Sequence, residues 1–210
     1  RLYDVGFDHL SSGLDWDEFD KTGGGDNPND NMSGYNWLRY MFQTGSRPGE
    51  ASRIKLSWVS SDFTRIHVPA EYHKPRVPRV VLTDQISMSL QGWYENAKKK
   101  GSEYLFYSYT TERELRHFDY SAFWRRVAPK AKLEKGITPH IIRHEFISRL
   151  FEETDFSDTK IAAIVGDTNT ASLRPYVHLR AAALAPDLKV HNQQEILRRH
   201  DEVKKRKQKK

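Results

Sequence analysis

Apolar residues recur at helical spacing through Trp37, Leu38, Tyr40, Met41 and Phe42, with Ser33 placed as an N-cap and Gly45 as the stop. The stretch before them, Lys21–Asn31, reads KTGGGDNPNDN and is rich in turn formers, so residues 1–32 are expected to be an irregular lead-in. A short helix is predicted from Pro48 to Leu56, with the proline in its first turn. Two β-rich runs follow, Arg65–Val68 and Arg79–Leu82, separated by a polar, proline-containing turn; together they predict a hairpin or small antiparallel sheet. From Asp84 the period becomes helical. Asp84 caps a helix to about Lys100, which Gly101 ends. Thr111 is read as the start of another helix carrying Leu115, Phe118, Phe123 and Trp124. Pro139 opens a helix through Leu150, and shorter helices are expected over Asp158–Val165, Thr170–Tyr176 and Asp187–Lys204. No internal repeat is visible. The pattern predicts a mostly α (α+β) architecture: one helical domain with a small antiparallel sheet near its first third. Its organisation reads as the lead-in to residue 32, a compact domain over residues 33–190, and a basic C-terminal helix or tail over 191–210.

Composition sharpens this picture in two ways. The 210 residues include no cysteine, which excludes disulfides, thiolate zinc sites and cysteine nucleophiles and fits a reducing cytoplasm. No run approaches the roughly 20 apolar residues of a membrane helix. The chain lacks both a signal peptide and an initiator Met, and is expected to be a fragment whose missing part lies upstream.

Charge changes the picture more. The net +6 is unevenly spread. Arg198–Lys210 holds eight Lys or Arg against two acids, whereas the first 31 residues hold eight acids against two bases. The body between is itself about +6. A basic body with a basic tail suits a polyanion, because each neutralised phosphate releases counterions. The plain alternative for the tail is a solvated end.

Four segments carry candidate chemistry: TGSRPGE (Thr44–Glu50), HKPRVPRVVL (His73–Leu82), HIIRHEF (His140–Phe146) and VGDTNTASLRPYVHL (Val165–Leu179). Each residue has a bland reading. Arg47 can be a surface loop arginine, Glu50 an acid favoured by a helix N-terminus, His140 an N-cap-region histidine, and Tyr176 one of ten tyrosines in a core. Lys74 competes with Arg76 and Arg79 nearby.

In this order, at these separations, the four segments resemble the Arg, Lys, His-x-x-Arg, Gly-His and Tyr boxes of the tyrosine recombinase (phage integrase) family. The resemblance covers Ser33 to about Leu179, and the last two boxes are the specific ones. Asp167 follows Arg143 by 24 positions and Tyr176 follows Asp167 by nine, as the family's intervals do. The resemblance implies a catalytic domain that breaks and rejoins double-stranded DNA through a phosphotyrosine at Tyr176. Arg47 and Arg143 would hold the scissile phosphate, since a planar guanidinium donates paired hydrogen bonds to phosphate oxygens and stays charged. Lys74 would protonate the leaving 5′ oxygen. His140 completes the set and Glu50 would help fix the first arginine. The arginines supply the charge, so neither metal nor other cofactor is expected. The resemblance further implies a homo-oligomer, a tetramer, on DNA, working in the cytoplasm at the nucleoid, with no membrane association. Kindred outcomes of the same chemistry are a type IB topoisomerase or a telomere resolvase; a degenerate, DNA-binding homologue is the non-enzymatic alternative.

Asp167 departs from the family, which has His or Trp there. It is a possible sixth site position, and beside a bland role as cap of the following helix it has two site readings. Either it stands beside the phosphate with the wrong charge, the favoured expectation, or it orients Arg143 by a charge-assisted hydrogen bond. His140 and His144, four apart on a helix, share a face, but Glu145 follows the second histidine and no third ligand is evident, so no metal site is expected.

Overall fold

A computed structural model describes residues 28–130 and 133–180, together with Gln194 and Arg198. The lead-in before Pro28, the helix expected over Asp187–Lys204 and the basic tail lie outside this range, apart from those two residues.

The first helix, α1 (Pro28–Thr44), starts earlier than expected and takes Ser33 into its interior. Ser33 is buried, and its hydroxyl accepts from the backbone N–H of Tyr107 rather than capping α1. Trp37, Tyr40 and Met41 are fully buried. Trp37 stacks on Tyr120 at 5.6 Å and meets Phe118 and Phe123 tilted and edge-on, the offset geometries that aromatic quadrupoles favour.

After α1 comes a single turn, α2 (Pro48–Ala51), shorter than the helix predicted to Leu56. The chain then forms the expected hairpin, β1 (Arg65–Val68) antiparallel to β2 (Arg79–Leu82), with Arg65 opposite Leu82 and Val68 opposite Arg79. The period of two decides what is inside: Ile66 and Val68 on β1, Val81 and Arg79 on β2. A charged residue is thereby driven into the interior.

Helix α3 (Ser87–Lys99) is entered by a 3-10 turn at Asp84–Ile86 and ends before Gly101. The helix expected from Thr111 does not form. The chain there makes a second hairpin, β3 (Tyr107–Tyr109) against β4 (Leu115–His117), turning at Arg113 with φ +64°. Tyr107 and Phe106 are buried beneath it. Helix α4 begins only at Tyr120 and runs to Lys130.

Helices α5 (His140–Glu153) and α6 (Asp158–Val165) match their predicted positions, and Thr170–Tyr176 is a 3-10 helix. Helix α5 is shared by two apolar clusters. Ile142 lies in the larger one, with Trp37, Ile54, Leu90 and Phe106. Ile147 and Phe151 lie in a smaller one with Ile161, Val165, Leu173 and Tyr176. Among the described residues no helix is long and apolar enough to cross a membrane.

Candidate active site

The site grows from two glycines. Gly45 ends α1 with φ +60°, and a Cβ there would overlap the ring of Phe146 on α5. This close approach brings the loop carrying Arg47 against α5. Gly166 ends α6 with φ +72°, and a Cβ there would overlap the Arg79 side chain. Both positions need the left-handed region and an absent side chain, which only glycine supplies cheaply.

The C-terminus of α6 presents carbonyls that the helix itself leaves unpaired. Three arginines from three distant segments meet them. Arg79 Nη2 donates to Ile164 O at 2.9 Å, Arg143 Nη1 to Val165 O at 2.6 Å, and Arg47 Nη1 to Gly166 O at 3.1 Å. Cations at a helix C-terminus also meet the negative end of the helix dipole. Arg143 Nη1 donates a second bond, to Gly45 O at 2.7 Å, so its guanidinium joins both glycine turns.

Asp167 closes the cluster. Its Oδ1 accepts from Arg143 Nη2 at 2.9 Å and also from Arg47 Nη2, while Oδ2 accepts from the Ser172 hydroxyl at 2.6 Å. The carboxylate therefore faces two arginines, the arrangement of the second sequence reading, and extends it from Arg143 to Arg47. Burial and neighbouring Arg47 push the Arg143 guanidinium down to about 10, against the pull of Asp167, so it stays charged at neutral pH.

Glu50 is buried and its Oε1 pairs with Arg79, not with Arg47. Its route to the first arginine is indirect. Glu50 Oε2 lies 3.8 Å from His73 Nε2, and that nitrogen lies 3.1 Å from Arg47 Nη1. His73 Nδ1 lies 2.8 Å from Val77 O and Nε2 lies 2.9 Å from Gly166 O, so the ring bridges the β1–β2 connection to the end of α6 beside Arg47. Arg79 is thus a buried structural cation, and Arg76 spends its Nη1 on Glu71 O at 2.7 Å. Lys74 is exposed beside them. It lines a cleft of about 410 Å³ together with Arg47, Arg53, His73 and His140. His140 sits at the first turn of α5, and burial, then Arg143, Arg47 and Lys74, lower its pKa. It is held neutral near pH 7 by that environment. Among the described residues no group of three or more His, Asp or Glu is placed to hold a metal ion.

Tyr176 stands apart. It is 2% exposed, stacks on Phe151 at 6.0 Å, and its hydroxyl bonds to His144 Nδ1. His144 follows Arg143 directly, about 100° round the helix, so the phenol and the guanidinium approach α5 on different sides.

A family model described as phage integrase family matches residues 25–183. The chain belongs to the phage integrase family. A curated relative of this integrase-family chain, the shufflon-specific DNA recombinase of Escherichia coli, is 37% identical over 82 residues, covering 37% of the chain and 21% of the relative. The fold is similar to the crystal structure of XerA recombinase, with TM-score 0.61 and 22% identity over 89% of this chain and 62% of that one. It is also similar to the XerH site-specific recombinase bound to difH substrate in a pre-cleavage complex, with TM-score 0.59 and 16% identity over 86% of this chain and 51% of that one. The integrase-family chain thus spans about a fifth of the curated relative's length and between half and two-thirds of these structures.

Of the expected site residues, the structure brings Arg47, Arg143 and Asp167 into one ion-paired cluster and puts Lys74 and His140 on the cleft that Arg47 lines. It seats Tyr176 elsewhere. Sequence reading missed His73, Ser172 and His144 as partners of these residues. All three lie within the four candidate segments; the place of His73 before Lys74 and the shared helix face of His144 and His140 were the available signals. Ser172 carries no signal outside its folded contact.

Proposed function

We propose that this integrase-family chain is the catalytic unit of a site-specific DNA recombinase that cuts and rejoins double-stranded DNA through a 3′-phosphotyrosine at Tyr176. The observation that carries this reading is the convergence of Arg47 and Arg143, 96 positions apart, on the segment that leads to Tyr176. Two guanidiniums so placed can neutralise the two non-bridging oxygens of one phosphate.

Tyr176 Oη attacks phosphorus, the phosphorus–O5′ bond breaks, and the ester bond to tyrosine conserves the energy for rejoining. His140, neutral in its cleft, accepts the phenolic proton. Lys74 Nζ donates a proton to the departing 5′ oxygen. Attack by another 5′ hydroxyl reverses the sequence and restores both proton donors. Tyr176 must first leave its seat on His144.

Strand exchange between two duplexes calls for four active sites, so the working assembly is a homotetramer on DNA, in the cytoplasm at the nucleoid. The catalytic unit spans residues 33–190, after the acidic lead-in of residues 1–32. The basic segment over 191–210 adds phosphate contacts that are indifferent to sequence.

Trapping on a pool of nicked duplexes with randomised sequence tests the reading. The parent protein is expected to form a covalent adduct that maps to Tyr176, and Tyr176→Phe to bind the pool normally and form none. A parent that forms no adduct, or an adduct that persists in Tyr176→Phe, overturns it.

A further inference from the structure

We propose that Asp167 is a positioning residue, a built-in counter-ion that holds Arg47 and Arg143 in the spacing at which they grip one phosphate. The inference rests on the recombinase reading for what the arginines do, and on geometry for what Asp167 does to them.

Two guanidiniums that must serve one phosphate have to sit side by side before it arrives, and side by side they repel. A carboxylate oxygen shared between them removes that repulsion. Asp167 Oδ1 is so shared: it accepts one N–H from Arg143 Nη2 and one from Arg47 Nη2. The carboxylate cannot turn away, because Ser172 holds Oδ2 at 2.6 Å and the Asp167 amide is bonded to Ala162 O at 2.8 Å. The remaining positioning comes from the end of α6, where Val165 O and Gly166 O take one N–H from Arg143 and one from Arg47. Arg143 Nη1 thereby has both hydrogens engaged, on Val165 O and Gly45 O. Each Nη2 gives only one of its two hydrogens to Asp167, so each guanidinium keeps a donor for a phosphate oxygen while the carboxylate stays in place.

Three features make this a fixed arrangement rather than a surface ion pair. Arg143 and Asp167 are nearly buried, with side chains 9% and 10% exposed. The two arginines come from α5 and from the turn after α1, so the carboxylate ties together elements far apart in the chain. Gly166, with φ +72°, sets the direction in which the backbone delivers Asp167.

The reading predicts that charge and reach both matter. Asp167→Asn keeps the shape and removes the counter-charge. Asp167→His puts a hydrogen-bond donor where two donors already point. Both variants are expected to cleave more slowly than the parent in single-turnover reactions on the nicked pool, on the order of 10²-fold for misplaced clamp groups. DNA affinity should be unchanged or tighter, since a negative charge has been removed; a merely destabilised protein would lose both together.

A second measurement needs no DNA. In nitrogen–proton NMR of the full 210-residue chain, guanidinium Nη–H signals of a locked arginine are resolved, and those of a freely rotating one average out. Signals absent from Arg47→Lys and from Arg143→Lys identify the two side chains. In Asp167→Asn they are expected to broaden or merge while the backbone spectrum stays as in the parent. Guanidinium signals unchanged in Asp167→Asn, or cleavage by Asp167→Asn or Asp167→His as fast as or faster than the parent, overturn the proposal. A parent that forms no adduct overturns the recombinase reading alone, because the guanidinium spectrum still decides what Asp167 does.

Discussion

The two halves of this site are built on different foundations. Arg47 and its neighbours rest on the large cluster, where Trp37, Tyr40, Ile54, Leu90 and Phe106 are packed from several elements. Tyr176 rests on the small one, seven buried residues drawn from the end of α5, α6 and the 3-10 turn. A group that must be in place before substrate arrives gains from a rigid base, because its ordering is completed on folding. A group that must travel gains from a base that opens locally, since regions with few buried apolar contacts open at less than the global cost. On the proposed reading the arginine clamp is pre-set and the nucleophile is parked, and the difference in cluster size supplies a physical reason.

Arg143 is where the comparison breaks most severely, since its two carbonyl bonds join Gly45 on one side to Val165 on the other. Arg143→Ala leaves Asp167 and both carbonyls without that partner. Removing one member of a buried ion pair typically costs ~3–5 kcal/mol. A denaturant melt should show that loss, and adduct formation should fall by at least about 10²-fold. A variant as stable as the parent would mean that the two clusters are joined elsewhere.

Truncating one residue in each cluster sharpens the contrast. Leu90→Ala and Ile161→Ala each remove a fully buried side chain, and such changes typically cost ~2–5 kcal/mol. The readouts should differ. Leu90→Ala should lower the stability of the whole molecule. Ile161→Ala should first speed amide hydrogen exchange over Thr170–Tyr176, leaving α1 and α3 protected. Equal acceleration everywhere would show one cooperative unit and remove the basis for a mobile nucleophile.

Acid gives the smallest effect. The Tyr176 hydroxyl is hydrogen-bonded to His144 Nδ1, and the pKa of His144 is lowered by burial and then by His140 and Arg143. A histidine harder to protonate when folded than when unfolded favours the folded state above its ordinary value near 6.5; that contribution is lost as pH falls through the lower, folded value. Protonation also leaves Nδ1 able only to donate to Tyr176. Exchange over Thr170–Tyr176, taken relative to the intrinsic amide rate at each pH, should therefore rise as pH drops below 6.5, and His144→Phe should abolish the rise. An unchanged pH dependence in His144→Phe would locate the titration in another group.

Much of the fold was readable before any coordinates. The β-rich runs RIHV and RVVL and the polar, proline-containing turn between them predicted the first hairpin, and Pro139 and the glycines at 45 and 101 marked helix ends. These signals are local, since backbone sterics and a single buried face decide them. The second hairpin escaped because Leu115 and Phe118 fit a helical period as well as a strand, and its turn uses Arg113 in the left-handed region where glycine would have announced it. Glu50 was read as an aid to Arg47, but its partner Arg79 is turned inward by the period of two on β2.

The order and spacing of Arg47, Lys74, His140, Arg143 and Tyr176 are properties of the sequence alone, and so is the carboxylate at 167. That spacing carries the family and the class of chemistry, because it lists which groups are available. It does not hold their distances. That Asp167 faces two arginines, that α6 ends in carbonyls met by three of them, and that Tyr176 lies on His144 were decided by tertiary structure. Each depends on where three or four separate elements stop relative to one another, and those stops follow from packing around Gly45, Gly166 and two unequal apolar clusters, which no local pattern encodes.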